Sequence, residues 1–140
     1  MAVMATAGYS GTPLSKKLGV KPGNAILVID APDDYRALFA PMPEGVSIVT
    51  KAKPGETVLV HLFVTSLAGL EKKLPAARRA MTPDGALWVS WYKKSAKIPT
   101  DVTEDEIRAR ALKTDLVDVK VCAVSDIWSG LKLVVRKHLR

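Results

Sequence analysis

The sequence predicts a three-layer α/β domain with a mostly parallel sheet and a C-terminal antiparallel hairpin. An apolar run at 58–64 is too short for a buried helix and rich in β-branched residues, which is typical of a central strand buried on both faces. Helical spacing follows at 66–81. Apolar and polar residues alternate at 117–121 and 131–136 around a polar turn, which indicates a hairpin with one solvated face.

A shared turn chemistry precedes four predicted strands. Proline and glycine, adjacent or one residue apart, stand shortly before the apolar runs 25–29, 46–49, 58–64 and 86–89. Proline fixes its own φ, and glycine accepts the positive φ that such turns require. Each turn is therefore expected to lead into a strand.

Two segments have the pattern of well-defined helices. Ser66 is a candidate cap for a first helix whose apolar face is formed by Leu67, Leu70, Leu74, Ala77 and Met81. Pro75 lies inside this pattern and predicts a kink or a restart of the helix. A capping box at 103–106 opens a second helix, which is expected to end near Lys113. A third, short helix is expected at 33–40.

The length of 140 residues fits one domain, which we expect at 13–140 after a flexible tail at 1–12. The single cysteine, Cys122, excludes an intramolecular disulfide, and no zinc-site spacing occurs, so no metal is expected. This cysteine usage favours the reducing cytoplasm. No stretch is apolar enough to predict a membrane span.

The net charge of +7 comes from 21 basic and 14 acidic residues and favours anionic partners. The basic residues occur as scattered pairs such as Lys16-Lys17 and Lys93-Lys94. A continuous stripe would indicate nucleic-acid binding more strongly. The pattern therefore favours a solvated surface over a nucleic-acid interface.

The order of elements, with Thr82-Pro83-Asp84-Gly85-Ala86-Leu87 before a late strand, resembles the methyltransferase-like branch of the Rossmann folds. The segments 9–14, 86–91 and 119–124 together resemble a family of small bacterial proteins with a domain of unknown function. These resemblances imply a Rossmann-like fold, and the methyltransferase resemblance also implies S-adenosylmethionine as a candidate cofactor.

The sequence departs from the methyltransferase pattern at both expected cofactor contacts. Residues 30–35 stand where those enzymes have a Gly-x-Gly loop after the first strand. Thr50 and Lys51 stand where an acid would bind the ribose hydroxyls. We therefore expect no cofactor and no tight binding of S-adenosylmethionine.

Ligands of open α/β sheets bind outside the carboxyl ends of the strands. The residues predicted to bind a ligand on that ground are Asp30, Asp33, Thr65, Ser66, Trp91, Lys93, Lys94 and Trp128. The lysines would attract an anion, and the tryptophans would stack on a ligand. The competing interpretation, which the residue types favour, makes Ser66 a helix cap, Asp33 part of a helix start and the lysines solvated.

No residue type or spacing predicts a catalytic group. Strand alternation places His61 beside Leu59 and Phe63, which is typical of a core histidine with satisfied hydrogen bonds. Cys122 lies inside a strand and is expected to be a packing residue.

Three functions remain open at this point. The preferred one is a non-catalytic Rossmann-like module that binds a small anionic ligand or a protein partner. The alternatives are a degenerate or atypical S-adenosylmethionine-dependent methyltransferase and a weak nucleic-acid binder. A homo-oligomer is compatible with all three.

Overall fold

The computed structural model describes residues 13–39 and 41–140, so the tail expected at 1–12 lies outside the described residues. The helices are α1 (Leu14–Leu18), α2 (Tyr35–Leu38), α3 (Leu67–Ala80) and α4 (Glu104–Ala111). The strands are β1 (Ala25–Ile29), β2 (Ser47–Val49), β3 (Thr57–Phe63), β4 (Met81–Tyr92), β5 (Leu116–Ala123) and β6 (Trp128–Val135). Short 3₁₀ turns span Lys94–Ala96 and Lys137–Leu139.

The described strands form one six-stranded sheet in the order β2-β1-β3-β4-β6-β5. The first four strands in this order are mutually parallel, whereas β6 runs antiparallel to both β4 and β5. The predicted α/β class, with its C-terminal antiparallel pair, is therefore confirmed.

Helices cover both faces of the sheet and bury two apolar clusters. On one face, Leu70 and Leu74 of α3 and Ile107 of α4 pack against strand residues such as Leu87 and Leu131. The opposite cluster is formed by α1 and α2 with the other strand face and includes Leu14, Leu18, Tyr35, Phe39, Trp88 and Trp128. Strand β3 lies between these layers, and its residues from Leu59 to Phe63 are at most 4% exposed. The prediction of a central strand buried on both faces is confirmed.

Helix α3 begins where the sequence predicts, because the Ser66 hydroxyl accepts a hydrogen bond from the Gly69 N–H at 3.0 Å. Of the two outcomes predicted at Pro75, a kink or a restart, the restart is wrong, since α3 continues through Pro75 to Ala80. Leu74 and Ala77, on either side of the proline, remain buried, and their packing maintains the helix despite the lost donor. Met81 is not the last helical contact but the first residue of β4.

Helix α4 opens with the predicted capping box, in which the Thr103 hydroxyl accepts from the Glu106 N–H at 3.2 Å. Three acids occupy its first turn, where the helix dipole favours negative charge. The helix ends at Ala111, two residues before the expected Lys113. The short helix expected at 33–40 is present as α2.

Three of the four predicted turns have glycine at positive φ: Gly23 at 83°, Gly45 at 73° and Gly55 at 71°. The fourth prediction is wrong, because 83–85 lies inside β4 as a bulge between the pairs Thr57–Met81 and Leu59–Ala86. Glycine is required at position 85 for space, since a Cβ there would lie 2.8 Å from the Val58 carbonyl oxygen. Close backbone approach therefore explains this glycine better than turn geometry does.

The C-terminal hairpin pairs Leu116 with Val135 and Ala123 with Ser129. This pairing confirms the predicted hairpin, although the loop is shorter than expected because Trp128 already pairs with Tyr92 of β4. Strand β5 forms one edge of the sheet. None of the helices within 13–39 and 41–140 has the length and apolar character that crossing a bilayer requires.

Candidate functional site

The crevice between β1 and β3 lies where the strand order reverses, which is the usual ligand site of this sheet type. Asp30 follows β1 directly and has a φ of 57°, a conformation uncommon for residues other than glycine. Its carboxylate lies 3.6 Å from the ammonium nitrogen of Lys73 on α3. Asp33 is exposed in the turn before α2. The carboxylate of Asp30 is therefore paired with a lysine of the same chain at this crevice.

The carboxyl end of β3 is covered by the connection between β4 and α4. The Thr100 hydroxyl donates to the Thr65 carbonyl oxygen at 2.8 Å. The Asp101 carboxylate accepts from the Leu67 N–H at 2.9 Å, at the first turn of α3. Ser66 caps the same helix through Gly69. Two backbone donors that would hold an anion at this helix terminus are therefore bonded within the chain.

A cavity of about 1120 Å³ lies beside the carboxyl end of β4. Its walls are formed by the end of β4, the connection to α4 with the first turn of that helix, and the ends of β5 and β6. These walls comprise residues 91–95, 97–100, 102–105, 121–123 and Ser129. This volume is slightly above the range of about 300–1,000 Å³ that is typical of small-molecule sites.

The acidic and basic side chains of this cavity differ in whether they have a partner of opposite charge. Its two carboxylates, Glu104 and Asp105, both bond to the guanidinium of Arg108. The hydrogen bonds that Arg108 donates to Glu104 and then to Asp118 raise the pKa of Arg108 above its ordinary value. Lys94 and Lys97 also line the cavity, yet neither has a carboxylate within 4.0 Å among the described residues. The cavity therefore offers cationic groups while its own acids are bonded elsewhere.

A third basic group reaches the cavity wall from α1. The Lys17 ammonium donates to the Ala123 carbonyl oxygen at 2.9 Å. Burial lowers the pKa of Lys17, the Cys122 thiol opposes this effect, and repulsion from Lys93 adds to it. Burial likewise raises the pKa of Cys122, and the charges of Lys17 and Lys120 oppose that rise. Three lysines, Lys17, Lys93 and Lys120, therefore interact electrostatically near this wall, and Lys93 itself lines the cavity.

Aromatic rings form the base of the cavity. Trp91 lines it while remaining only 8% exposed. Tyr92 also lines it, and its ring stacks on Trp128 with 4.5 Å between ring centroids. Trp128 does not line the cavity itself and is 7% exposed. The exposed fractions show that both tryptophans are mainly packing residues, and Tyr92 is the more accessible ring.

The eight predicted ligand-binding residues thus fall into two groups. Trp91, Lys93 and Lys94 line the cavity, and Trp128 supports it through Tyr92. The four residues outside the cavity wall are Asp30, Asp33, Thr65 and Ser66. Sequence reasoning missed Lys17 and Lys97. The positive φ of Lys97, 55°, has no sequence signal, and Lys17 meets Ala123 across 106 positions.

His61 lies in the core, as the strand alternation predicts, and its side chain is fully buried. Its Nδ1 is 2.9 Å from the Tyr35 hydroxyl, and its Nε2 is 2.7 Å from the Ser90 hydroxyl. Burial lowers its pKa to about 3, so the imidazole is neutral near pH 7. Within the described part of the chain, no three His, Cys, Asp or Glu side chains are grouped to hold a metal ion.

Comparison with known proteins gives the fold a context. No protein-family model matches the chain, and no curated protein matches it in sequence. Several solved structures match across most of the chain.

A SAM-dependent methyltransferase from Aquifex aeolicus aligns with a TM-score of 0.57 and 14% identity, covering 86% of this chain and 87% of that one. The protein bound to the Haloferax volcanii methyltransferase activator Trm112 aligns with a TM-score of 0.60 and 13% identity, covering 87% and 86%. The Bacillus subtilis m1A22 tRNA methyltransferase TrmK aligns with a TM-score of 0.59 and 11% identity, covering 91% and 67%.

The chain has a methyltransferase-like fold. At 11–14% identity the likeness extends to the fold alone. The switch-point crevice described above corresponds to the general ligand position of such sheets, whereas the lysine-lined cavity lies further along the sheet, past β4.

Proposed function

We propose that this chain uses a methyltransferase-like scaffold to bind a small anionic ligand in the cavity beside β4. The observation that carries the proposal is the charge arrangement of that cavity. Lys94 and Lys97 line it without a described carboxylate partner, while Glu104 and Asp105 are held by Arg108. An anionic group between these lysines would make charge-assisted hydrogen bonds that the free protein lacks.

Titration with inorganic phosphate, followed by ¹⁵N–¹H NMR, tests the position of the site. The amides of 93–97 and 121–123 are expected to shift, because they surround the lysines. Sulfate is the matching control for charge, and trimethylamine N-oxide is the neutral control. Shifts confined to 30–34 and 65–69 would instead place the anion at the switch point and contradict the proposal.

The second candidate is S-adenosylmethionine-dependent methyl transfer. The similar structures that are named as methyltransferases support it better than they support a non-catalytic module. The residues of the switch point argue against it, because the glycine loop is replaced by 30–35 and Asp30 is already opposite Lys73. The fold therefore favours methyl transfer, whereas the residues of the switch point favour the binding of a small anion in the β4 cavity.

Isothermal titration with S-adenosylmethionine decides between the two. Weak or undetectable binding is expected. A dissociation constant in the low micromolar range that is lost in Asp30→Asn would reverse this expectation and favour the methyltransferase candidate. Asp33→Asn is the control of equal charge in the same segment.

The proposal includes a protein partner and a cytoplasmic location. One similar structure is a complex with a methyltransferase activator, which supports a partner protein for this scaffold. The single cysteine supports a reducing compartment. Native mass spectrometry of freshly purified protein would detect a retained ligand, a partner or a second copy, and a mass equal to the bare chain would count against a tightly held one.

A further inference from the structure

We infer that the ligand of the β4 cavity is an organic anion with two unlike ends. Its anionic head group bonds to Lys94 and Lys97, and its uncharged apolar body lies against the end of β5. This inference rests on the proposed function and specifies its ligand class. It follows from the separation of charged and uncharged side chains within one cavity.

The first step concerns the position of the charges. The basic side chains among the described residues of the cavity wall all belong to the segment 93–97, directly after β4. Lys94 and Lys97 of this segment have no described carboxylate within 4.0 Å. The two acids of the wall are bonded to Arg108. An anionic group is therefore expected to bind at one wall of the cavity only.

The second step concerns the width of the cavity, which extends well beyond the lysine segment. Trp91 of β4 pairs with Ser129 of β6, and Ser129 pairs with Ala123 of β5, so these three cavity residues form one row across three strands. Neighbouring strands lie about 4.8 Å apart, so the row spans about 10 Å. A phosphate ion is smaller than this span. A head group at the lysines therefore leaves the β5 end of the cavity uncovered.

The third step concerns the side chains at that end. Strand β5 contributes Val121, Cys122 and Ala123 to the wall, and none of them is charged at neutral pH. The nearby Lys17 ammonium is bonded to the Ala123 carbonyl oxygen, and Lys17 does not itself line the cavity. Val121 is 45% exposed although it is apolar. An apolar body would remove this side chain from water, while the lysines would orient the charged end, as a few polar groups do in small-molecule sites.

Isothermal titration near neutral pH compares 1-naphthyl phosphate with inorganic phosphate and with uncharged 1-naphthol. The ester is expected to bind at least about tenfold more tightly than phosphate, since removing about 60 Å² of apolar surface from water suffices for that factor. Naphthol should bind more weakly than the ester because it lacks the head group. Lys94→Ala combined with Lys97→Ala should remove most of the binding of both phosphates. Lys51→Ala combined with Lys53→Ala is the matched control, since it removes the same charge from exposed positions outside the cavity wall.

Two valines of β5 distinguish contacts of the body from contacts of the head group. Val121→Ser should weaken the binding of 1-naphthyl phosphate about threefold or more and leave the affinity for phosphate unchanged, because only the ester reaches β5. Val119→Ser is the matched control, since Val119 is 52% exposed on the same strand and does not line the cavity. Both positions are exposed, so neither variant is expected to unfold, and circular dichroism checks each one.

Cys122 provides a second measurement, because it is the single cysteine of the chain and lines the β5 end of the cavity. Its alkylation by iodoacetamide reports whether that end is covered. Saturating 1-naphthyl phosphate should remove most of the reactivity of Cys122, whereas saturating phosphate should leave the rate unchanged.

The outcomes separate the inference from the proposed function. Equal affinities for phosphate and 1-naphthyl phosphate, an unprotected Cys122, or equal losses in the two valine variants would overturn the inference and leave the anion site in place. No binding of any of the three compounds would overturn both. Equal affinities for 1-naphthyl phosphate and 1-naphthol, or equal losses in the two double lysine variants, would show that the cavity does not recognise the anion and would also overturn both.

Discussion

The switch-point crevice and the β4 cavity differ in whether their polar side chains have partners within the chain. At the crevice, Asp30 faces Lys73, and Ser66 and Asp101 occupy donors at the start of α3. At the cavity, Lys94 and Lys97 have no described carboxylate partner. At the conventional ligand position, these polar groups are thus paired within the chain, and the scaffold presents cations one strand further along. The comparison teaches that the fold locates the candidate sites, whereas local pairing decides which of them is available.

His61 connects the two regions, and its replacement should have the largest effect on stability. His61→Leu leaves the hydroxyls of Tyr35, on α2 beside the crevice, and Ser90, near the end of β4, without their partner. We expect a loss on the order of 1–3 kcal/mol in the free energy of unfolding. Phosphate affinity should persist in the folded fraction.

Urea denaturation and phosphate titration of the same variant check this prediction. His138→Leu is the control, because His138 is exposed near the chain end. Unchanged stability with lost phosphate affinity would show that His61 belongs to a ligand site and has no stabilising role in the core.

Acid should weaken that core before it affects surface ion pairs. Burial lowers the pKa of folded His61 to about 3, against about 6.5 in the unfolded chain. The stabilisation is complete above the unfolded value and is lost as the pH falls toward the folded one. The free energy of unfolding should therefore decrease by up to about 1.4 kcal/mol per pH unit below pH 6.5.

The window between pH 6.5 and 5 isolates His61, because Arg78 holds the pKa of Asp115, and Arg108 that of Asp118, below the ordinary range. Stability curves at several pH values should show a steeper decline in the wild type than in His61→Leu. Parallel declines would mean that His61 does not control this pH dependence.

Asp101 offers a way to reopen the crevice. Asp101→Ala removes the acceptor for the Leu67 N–H and should cost about 1 kcal/mol, as the loss of a helix cap does. Asp101→Asn retains an acceptor oxygen and should cost less. If the comparison is correct, phosphate should perturb the amides of 66–69 in the alanine variant alone. An equal loss of stability in both variants would show that the negative charge of Asp101, and not its acceptor oxygen, stabilises the start of α3.

Asp30→Asn should have the smallest effect. The pair with Lys73 is 3.6 Å long, and both side chains are substantially exposed, so the expected loss is below about 0.5 kcal/mol. Asp115→Asn should cost more, because Arg78 donates two hydrogen bonds of 2.8 Å to that carboxylate. Thermal denaturation of the two variants compares them directly, and a reversed order would show that Asp30 has a larger structural role.

Local patterns predicted those parts of the fold that local physics determines. The β1 bounds, the capping box at 103–106 and the hairpin after 116 all follow from periodicity, capping and alternation within a few residues. The segment 83–85 was misjudged because a Pro-x-Gly motif is compatible with a turn and with a bulge. Only the approach of the Val58 carbonyl oxygen decides between them.

The candidate site could be predicted only in part for a related reason. The ends of strands identify Trp91, Lys93 and Lys94, because ligand positions follow from the sheet. The bond from Asp101 to Leu67 joins residues 34 positions apart, and the bond from Lys17 to Ala123 spans 106. Such long-range pairs decide which strand end is closed and which is cationic, and periodicity contains no information about them.

A crystal structure of the protein with pyrophosphate tests the central claim most directly, because it shows which of the two regions holds the anion. Density for pyrophosphate is expected in the β4 cavity, within hydrogen-bond distance of Lys94 or Lys97, with Asp30 still beside Lys73. Pyrophosphate bound between Asp30 and the first turn of α3, with the β4 cavity empty, would contradict the account.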